Sequence, residues 1–168
     1  MSTTQLSLEW LCRQIVTHSQ DAIIFADLEG TIRLWNAGAA QMFGYSPGEA
    51  LGQSLDLIIP ENLRLRHWEG YRRVMAGGAA RYGRELLRVP ALHQDGRRLS
   101  LEFSLGLIRQ ENGEILGAAA IIREVTDRRQ REQELRQQLE ALKARSGSGK
   151  EPGPPGVSPP QSWEPEEA

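Results

Sequence analysis

Residues 95–125 read DGRRLSLEFSLGLIRQENGEILGAAAIIREV, and their pattern decides the architecture. Leu99, Leu101, Phe103, Leu105 and Leu107 take every second position, the period of a strand with one buried face. Asp95-Gly96 and Asn112-Gly113 bracket it with turn chemistry, so Ile115 to Val125 is predicted as its antiparallel neighbour. Ala118, Ala119 and Ala120 in that neighbour are small and leave room above the sheet. Upstream, Arg81 to His93 is predicted as a third strand, and Pro90, lacking an amide proton, places it at an edge or bulge.

Two further strands precede these. Asp21 to Ala26 is a β-rich run and Thr31 to Trp35 alternates, with Asp27-Leu28-Glu29-Gly30 as a tight turn between them. Short helices follow. Asn36 caps one that ends at Gly44, and Ser46-Pro47-Gly48-Glu49 matches a capping box with proline at its first position. Leu55 to Pro60 connects to a longer helix, Pro60 to Ala76, which Gly77-Gly78 stops. Leu63, His67, Tyr71 and Val74 recur there at helical steps and point inward, while Asn62, Arg66, Glu69 and Arg73 form the opposite face.

At the ends the pattern changes. Gln5 to His18 carries Leu8, Leu11 and Ile15 on one stripe with Cys12 beside it, an amphipathic helix that needs a partner surface. Val125, Leu135, Leu139 and Leu142 share one heptad register, with Arg128 and Glu132 in the intervening seam positions. A lone helix of that length is marginal in water, so it pairs with the N-terminal helix or with a second copy of itself. Ser146 to Ala168 holds six of the nine prolines and almost no apolar residues apart from Trp163, the composition of a disordered tail. The expected division is a cap helix at 1–20, a globular domain at 21–127, a signalling helix at 128–145 and a tail at 146–168.

The 168 residues, 39% hydrophobic and 25% charged, suit one globular domain with appendages. No apolar run nears the ~20 residues of a membrane span and no signal peptide is evident, so a soluble cytoplasmic protein is expected. The single cysteine excludes an internal disulfide or a cysteine-built zinc site. A net charge of −2 provides no global field for nucleic acid, and the arginines around 64–88 read as a solvated helix face and strand edge. Phosphate-binding glycine loops, Gly-x-Ser-x-Gly and His-Glu-x-x-His motifs are lacking, which points away from an enzyme and toward a chain that senses or connects.

Over about Asp21 to Arg128 this order of elements resembles a PAS sensory domain. The likeness is carried by Asp21-Ala22-Ile23-Ile24 with Asp27 to Gly30, Trp35-Asn36-Ala37, Phe43-Gly44-Tyr45, Glu49-Ala50-Leu51-Gly52 and Leu57 to Pro60. Asp95-Gly96 and the closing Glu124-Val125-Thr126-Asp127-Arg128 complete it. The resemblance implies an α+β fold, a five-stranded antiparallel sheet with helices over one face enclosing a small-molecule pocket. It also implies that Val125, Thr126 and Asp127 relay the pocket state into the C-terminal helix, through Leu135, Leu139 and Leu142. Asp127 is expected to accept hydrogen bonds where that helix begins.

His67 is the residue with a specific chemical hypothesis. Pro60-Glu61, Arg64, Arg66-His67 and Tyr71 look like the corresponding helix of FixL-type haem PAS oxygen sensors, and Arg84 looks like their ligand-sensing arginine. That likeness makes His67 the axial ligand of a haem b, in a pocket formed with Leu63, Tyr71, Leu101, Phe103, Leu105 and Ile122. The alternative is a histidine satisfied within the core or partly exposed on its helix. A flavin is disfavoured, because Cys12 lies outside the resembling region; Trp35 and Trp68, the stacking candidates, fit core packing as well. His18 and His93, beside a helix end and a turn, are read as solvated. The expected partners are a second copy, through the flanking helices, and a separate effector such as a histidine kinase, cyclase or transcription regulator. A ligand-free adaptor is the remaining rival.

Overall fold

A computed structural model describes residues 7–77 and 86–147. Its elements are α1 (Leu8–His18), β1 (Ala22–Asp27), β2 (Ile32–Trp35), α2 (Ala37–Phe43), α3 (Pro47–Ala50), α4 (Glu61–Met75), β3 (Leu87–Leu92), β4 (Arg98–Arg109), β5 (Ile115–Glu124) and α5 (Thr126–Gly147). A 3-10 turn, Leu55–Leu57, sits in the connector before α4. The strands form one five-stranded antiparallel sheet in the order β2-β1-β5-β4-β3. Residues up to Gln130 make one compact unit, and the remainder of α5 from Arg131 is a separate one.

The alternation along β4 becomes burial on one face. Leu99 and Leu101 are almost wholly buried, Phe103 packs against the same core, and Ala22, Ile24 and Ile122 continue that surface across β1 and β5. Trp35, Phe43, Ala39 and Ala50 close it at the β2 end. Pro90 lies in β3, the edge strand, where a missing ladder donor costs least. The predicted start of that strand, Arg81 to Glu85, falls outside the described residues together with Arg84 and the tail from Ser148.

Asn36 does more than cap a helix. Its Oδ1 accepts from the amides of Ala39 and Ile23, and its Nδ2 donates to the carbonyls of Val16 and Asp21, so one buried side chain joins α1, β1 and α2. Gly44 then ends α2 with φ 83°, and a side chain there would collide with His93. His93 is correspondingly packed in, with a side chain only 16% exposed and its Nδ1 beside Asp95, which corrects the expectation of a solvated ring. The capping box at Ser46 and Glu49 forms as the sequence predicts.

Two expectations about the ends change. None of the α1 residues is buried, and Leu8 and Ile15 of the predicted stripe are exposed, so within this unit the helix leaves that face uncovered. Val125 is not part of a helical seam: it is 5% exposed and completes the globular core just before α5 begins. Leu135, Leu139 and Leu142 remain spaced four and three residues apart on α5, each more than half exposed. No helix among the described residues is long and apolar enough to cross a membrane.

Candidate functional site

The site is the space between α4 and the concave face of the sheet. Two contacts hold α4 at the β1–β2 turn. The Tyr71 hydroxyl donates to the carbonyls of Ala26 and Asp27, and the Trp68 indole donates to Asp56 at 2.8 Å while its ring lies over Gly30. Gly30 has φ 79°, and a Cβ there would sit 2.3 Å from the Trp68 ring. Only glycine satisfies both the turn and the approach of the indole. Pinned at that turn, α4 stands away from β3 and β4.

What remains is a cavity of about 480 Å³, within the range of small-molecule sites. Leu63, His67, Tyr71 and Val74 line it from α4, and Leu101, Phe103, Leu105 and Ile122 line it from the sheet. The small Ala118 and Ala120 leave the opening above β5 that their size predicts. Thus seven of the eight predicted pocket residues come together; the eighth, Arg84, lies outside the described residues. Arg66, assigned by periodicity to the solvent face, also borders the cavity, as do Leu87, Arg88 and Val89 of β3. Neither Trp35 nor Trp68 lines it. Trp35 packs on Phe43 with its indole donating to the Tyr45 carbonyl, so both candidate stacking rings serve structure.

His67 is the polar group set into this apolar lining. Its ring meets Trp68 edge-on at 5.0 Å and lies tilted on Tyr71 at 5.8 Å. Nδ1 is buried without a hydrogen-bond partner, whereas Nε2 makes no hydrogen bond and retains accessible surface. Burial lowers the imidazole pKa below its usual value, against a smaller upward pull from Asp56. The ring is therefore neutral at neutral pH, the form that ligates metals. The Tyr71 phenol, pushed up to about 12 by burial and by the nearby Asp27 and Glu29, stays a donor at any working pH, committed to the β1 carbonyls. Among the described residues no three metal-binding side chains gather, so the donor set amounts to one imidazole over an apolar floor.

A second depression, of about 700 Å³, opens at the far end of the sheet between the β1–β2 and β4–β5 turns. Turn residues such as Leu28, Glu29, Gln110 and Glu114 line it, it is open to solvent, and among the described residues no unpartnered buried polar atom faces it.

At the far side of the sheet β4 holds the start of α5. The Ser100 amide donates to Thr126 Oγ1 at 3.0 Å and the Val125 amide to the Ser100 carbonyl at 2.8 Å. Asp127, expected in this role, is exposed and accepts no hydrogen bond; the threonine one position earlier already faces the β4 backbone. Sequence reasoning also missed Glu102. It is 7% exposed on the outer face of β4 and pairs with Arg88 of β3 and Arg128 of α5. An acidic residue at an outward strand position gives no sequence signal of burial, since the two arginines that cover it are 14 and 26 positions away.

Comparison with known proteins supports this architecture. The family described as PAS fold matches residues 16–130. The sensor protein FixL of Bradyrhizobium diazoefficiens is 31% identical over 143 residues, 82% of this chain and 27% of the relative. The oxygen sensor protein DosP of Escherichia coli is 29% identical over 80 residues, 48% of this chain and 10% of the relative. This chain thus spans about a quarter or less of the length of these relatives. The crystal structure of a PAS domain from Colwellia psychrerythraea superposes with a TM-score of 0.64 at 25% identity, covering 72% of this chain and 99% of that one. A five-stranded antiparallel sheet under short helices and a matching family over most of the globular unit give one conclusion: the chain belongs to the PAS-fold family, with similarity to FixL.

Proposed function

We propose that this chain is a PAS sensory module that holds a small, largely apolar ligand beneath α4 and passes the state of that site through Val125 and Thr126 into α5. The cavity of about 480 Å³ with one neutral imidazole set into its lining carries this reading. A core filled by its own side chains, as a ligand-free adaptor requires, would close that volume. In this reading the module passes its state to an effector. A second copy joined through α1 and α5 fits their exposed apolar positions, and the effector is a kinase, cyclase or transcription regulator acting separately.

Haem b is the ligand the site suits best. His67 Nε2 is unbonded and accessible, the surrounding lining is apolar, and Arg66 borders the cavity where a carboxylate side chain of such a group would reach a cation. Two relatives named as a sensor and an oxygen sensor favour the same choice. When bound, haem would supply an iron that responds to a diatomic gas or to redox state, with His67 as its axial ligand. The protein's own part is to keep the imidazole neutral, to exclude water with Leu101, Phe103 and Leu105, and to hold α4 through Tyr71. Ligand can bias α5 only to the extent that it binds one arrangement of the domain more tightly than another. Native mass spectrometry of freshly purified protein tests the general claim: a bound small molecule supports it, and bare polypeptide that also takes up no haemin contradicts it.

A further inference from the structure

Glu102 sits where two elements meet that share no backbone pairing. Its Oε1 accepts from Arg88 Nε of β3 at 2.9 Å, and Arg128 of α5 bonds the same oxygen. The carboxylate is nearly inaccessible although both arginines reach it from solvent, with side chains 66% and 52% exposed. One anionic oxygen shared by two cations is a point where a gain for one partner is a loss for the other.

The two arginines belong to opposite ends of the sensing path. Arg88 lies between Leu87 and Val89, whose side chains point into the cavity from the edge strand. That strand has one neighbour in the sheet, so as a cavity wall it is braced by a ladder on one side, with the Leu92 amide donating to the Ile58 carbonyl on the other. Arg128 is in the first turn of α5. The Ser100 contacts fix where α5 starts through the β4 backbone, opposite Pro90 of β3. Glu102 is a side chain that contacts both β3 and α5 directly.

We propose that Glu102 is a positioning residue that transmits displacement of the cavity wall at β3 to the first turn of α5, through competition between Arg88 and Arg128 for one carboxylate oxygen. This deepens the sensory reading above and rests on it for biological meaning, but it is testable without any ligand. Ala91 is 3% exposed and lines the cavity from β3, so Ala91→Leu adds volume that must press into the space a ligand would use.

Hydrogen exchange at Arg129, whose amide bonds the Val125 carbonyl, and through the following turn reads the state of the α5 start. Ala91→Leu is expected to change those rates by about fivefold or more relative to wild type. In a Glu102→Gln background, which keeps shape and removes charge, the same substitution is expected to change them by less than about twofold. An equal change in both backgrounds overturns the proposal, because the signal then travels by another route, and so does no change in the wild-type background. Circular dichroism establishes that each variant is folded; if Ala91→Leu is not, Val89→Phe fills the cavity from the same strand. Glu102 dependence in a protein that takes up no haemin would defeat the haem reading alone, and haemin uptake without Glu102 dependence would defeat this inference alone.

Discussion

At the scale of single residues, His67 carries a stability cost that a purely structural side chain would not. A buried nitrogen without a partner forfeits its hydration, so His67→Leu is expected to raise the stability of the ligand-free protein by up to about 1 kcal/mol, measured by urea unfolding. Acid should widen the gap. The folded imidazole pKa lies below the usual value of 6.5, so protons favour the unfolded chain as pH falls through 6.5, and the loss levels off below the folded pKa. An unchanged or less stable leucine variant would show that the ring is satisfied after all. Gly30 offers the opposite test. Gly30→Ala meets both a positive φ and the Trp68 ring and is expected to cost at least about 2 kcal/mol in the same assay.

The inward direction of His67 was legible because the helical period alone places it with Leu63, Tyr71 and Val74. Trp68, the next residue, was not legible as a lock. Its role depends on a glycine 38 positions earlier having φ 79°, which no local pattern encodes. His93 was misread for the same reason, its neighbour Gly44 lying in a different element.

Among the elements, α4 is the one whose position creates the cavity, and the Tyr71 hydroxyl is one of its two ties to the β1–β2 turn. Tyr71→Phe keeps the ring against His67 and removes the tie, so a loss of roughly 1 kcal/mol and faster amide exchange along α4 are expected. With the phenol pKa near 12, the tie should persist across the neutral and mildly alkaline range. The strands were readable from alternation because each buries one face. The family likeness implied one five-stranded antiparallel sheet, but its order β2-β1-β5-β4-β3, with β1 beside β5, was not legible, since periodicity names faces and not neighbours. Val125 illustrates the limit. Its spacing from Leu135 fits a heptad, yet it is the end of the sheet that buries it.

For the molecule as a whole, the sheet and the start of α5 are joined through charges that acid removes. Hydrogen bonding from Arg128, then the charges of Arg128 and Arg88, holds the Glu102 carboxyl below its usual 4.5 despite desolvation. Stability from this group is present above that value and is lost as pH falls through the lowered one. Circular dichroism during acid titration should therefore show a step below about pH 4.5, and the Glu102→Gln variant should lack that part of it. The cluster was invisible in the sequence because its three members come from β3, β4 and α5, brought together only by the completed sheet.

The central claim is that the space beneath α4 is a ligand site organised by His67. Titrating haemin into the purified protein and recording the absorption spectrum tests it most directly. The account predicts a Soret band that saturates at one equivalent, shifts under carbon monoxide, and is abolished in His67→Ala; no band, or the same band in His67→Ala, would contradict it.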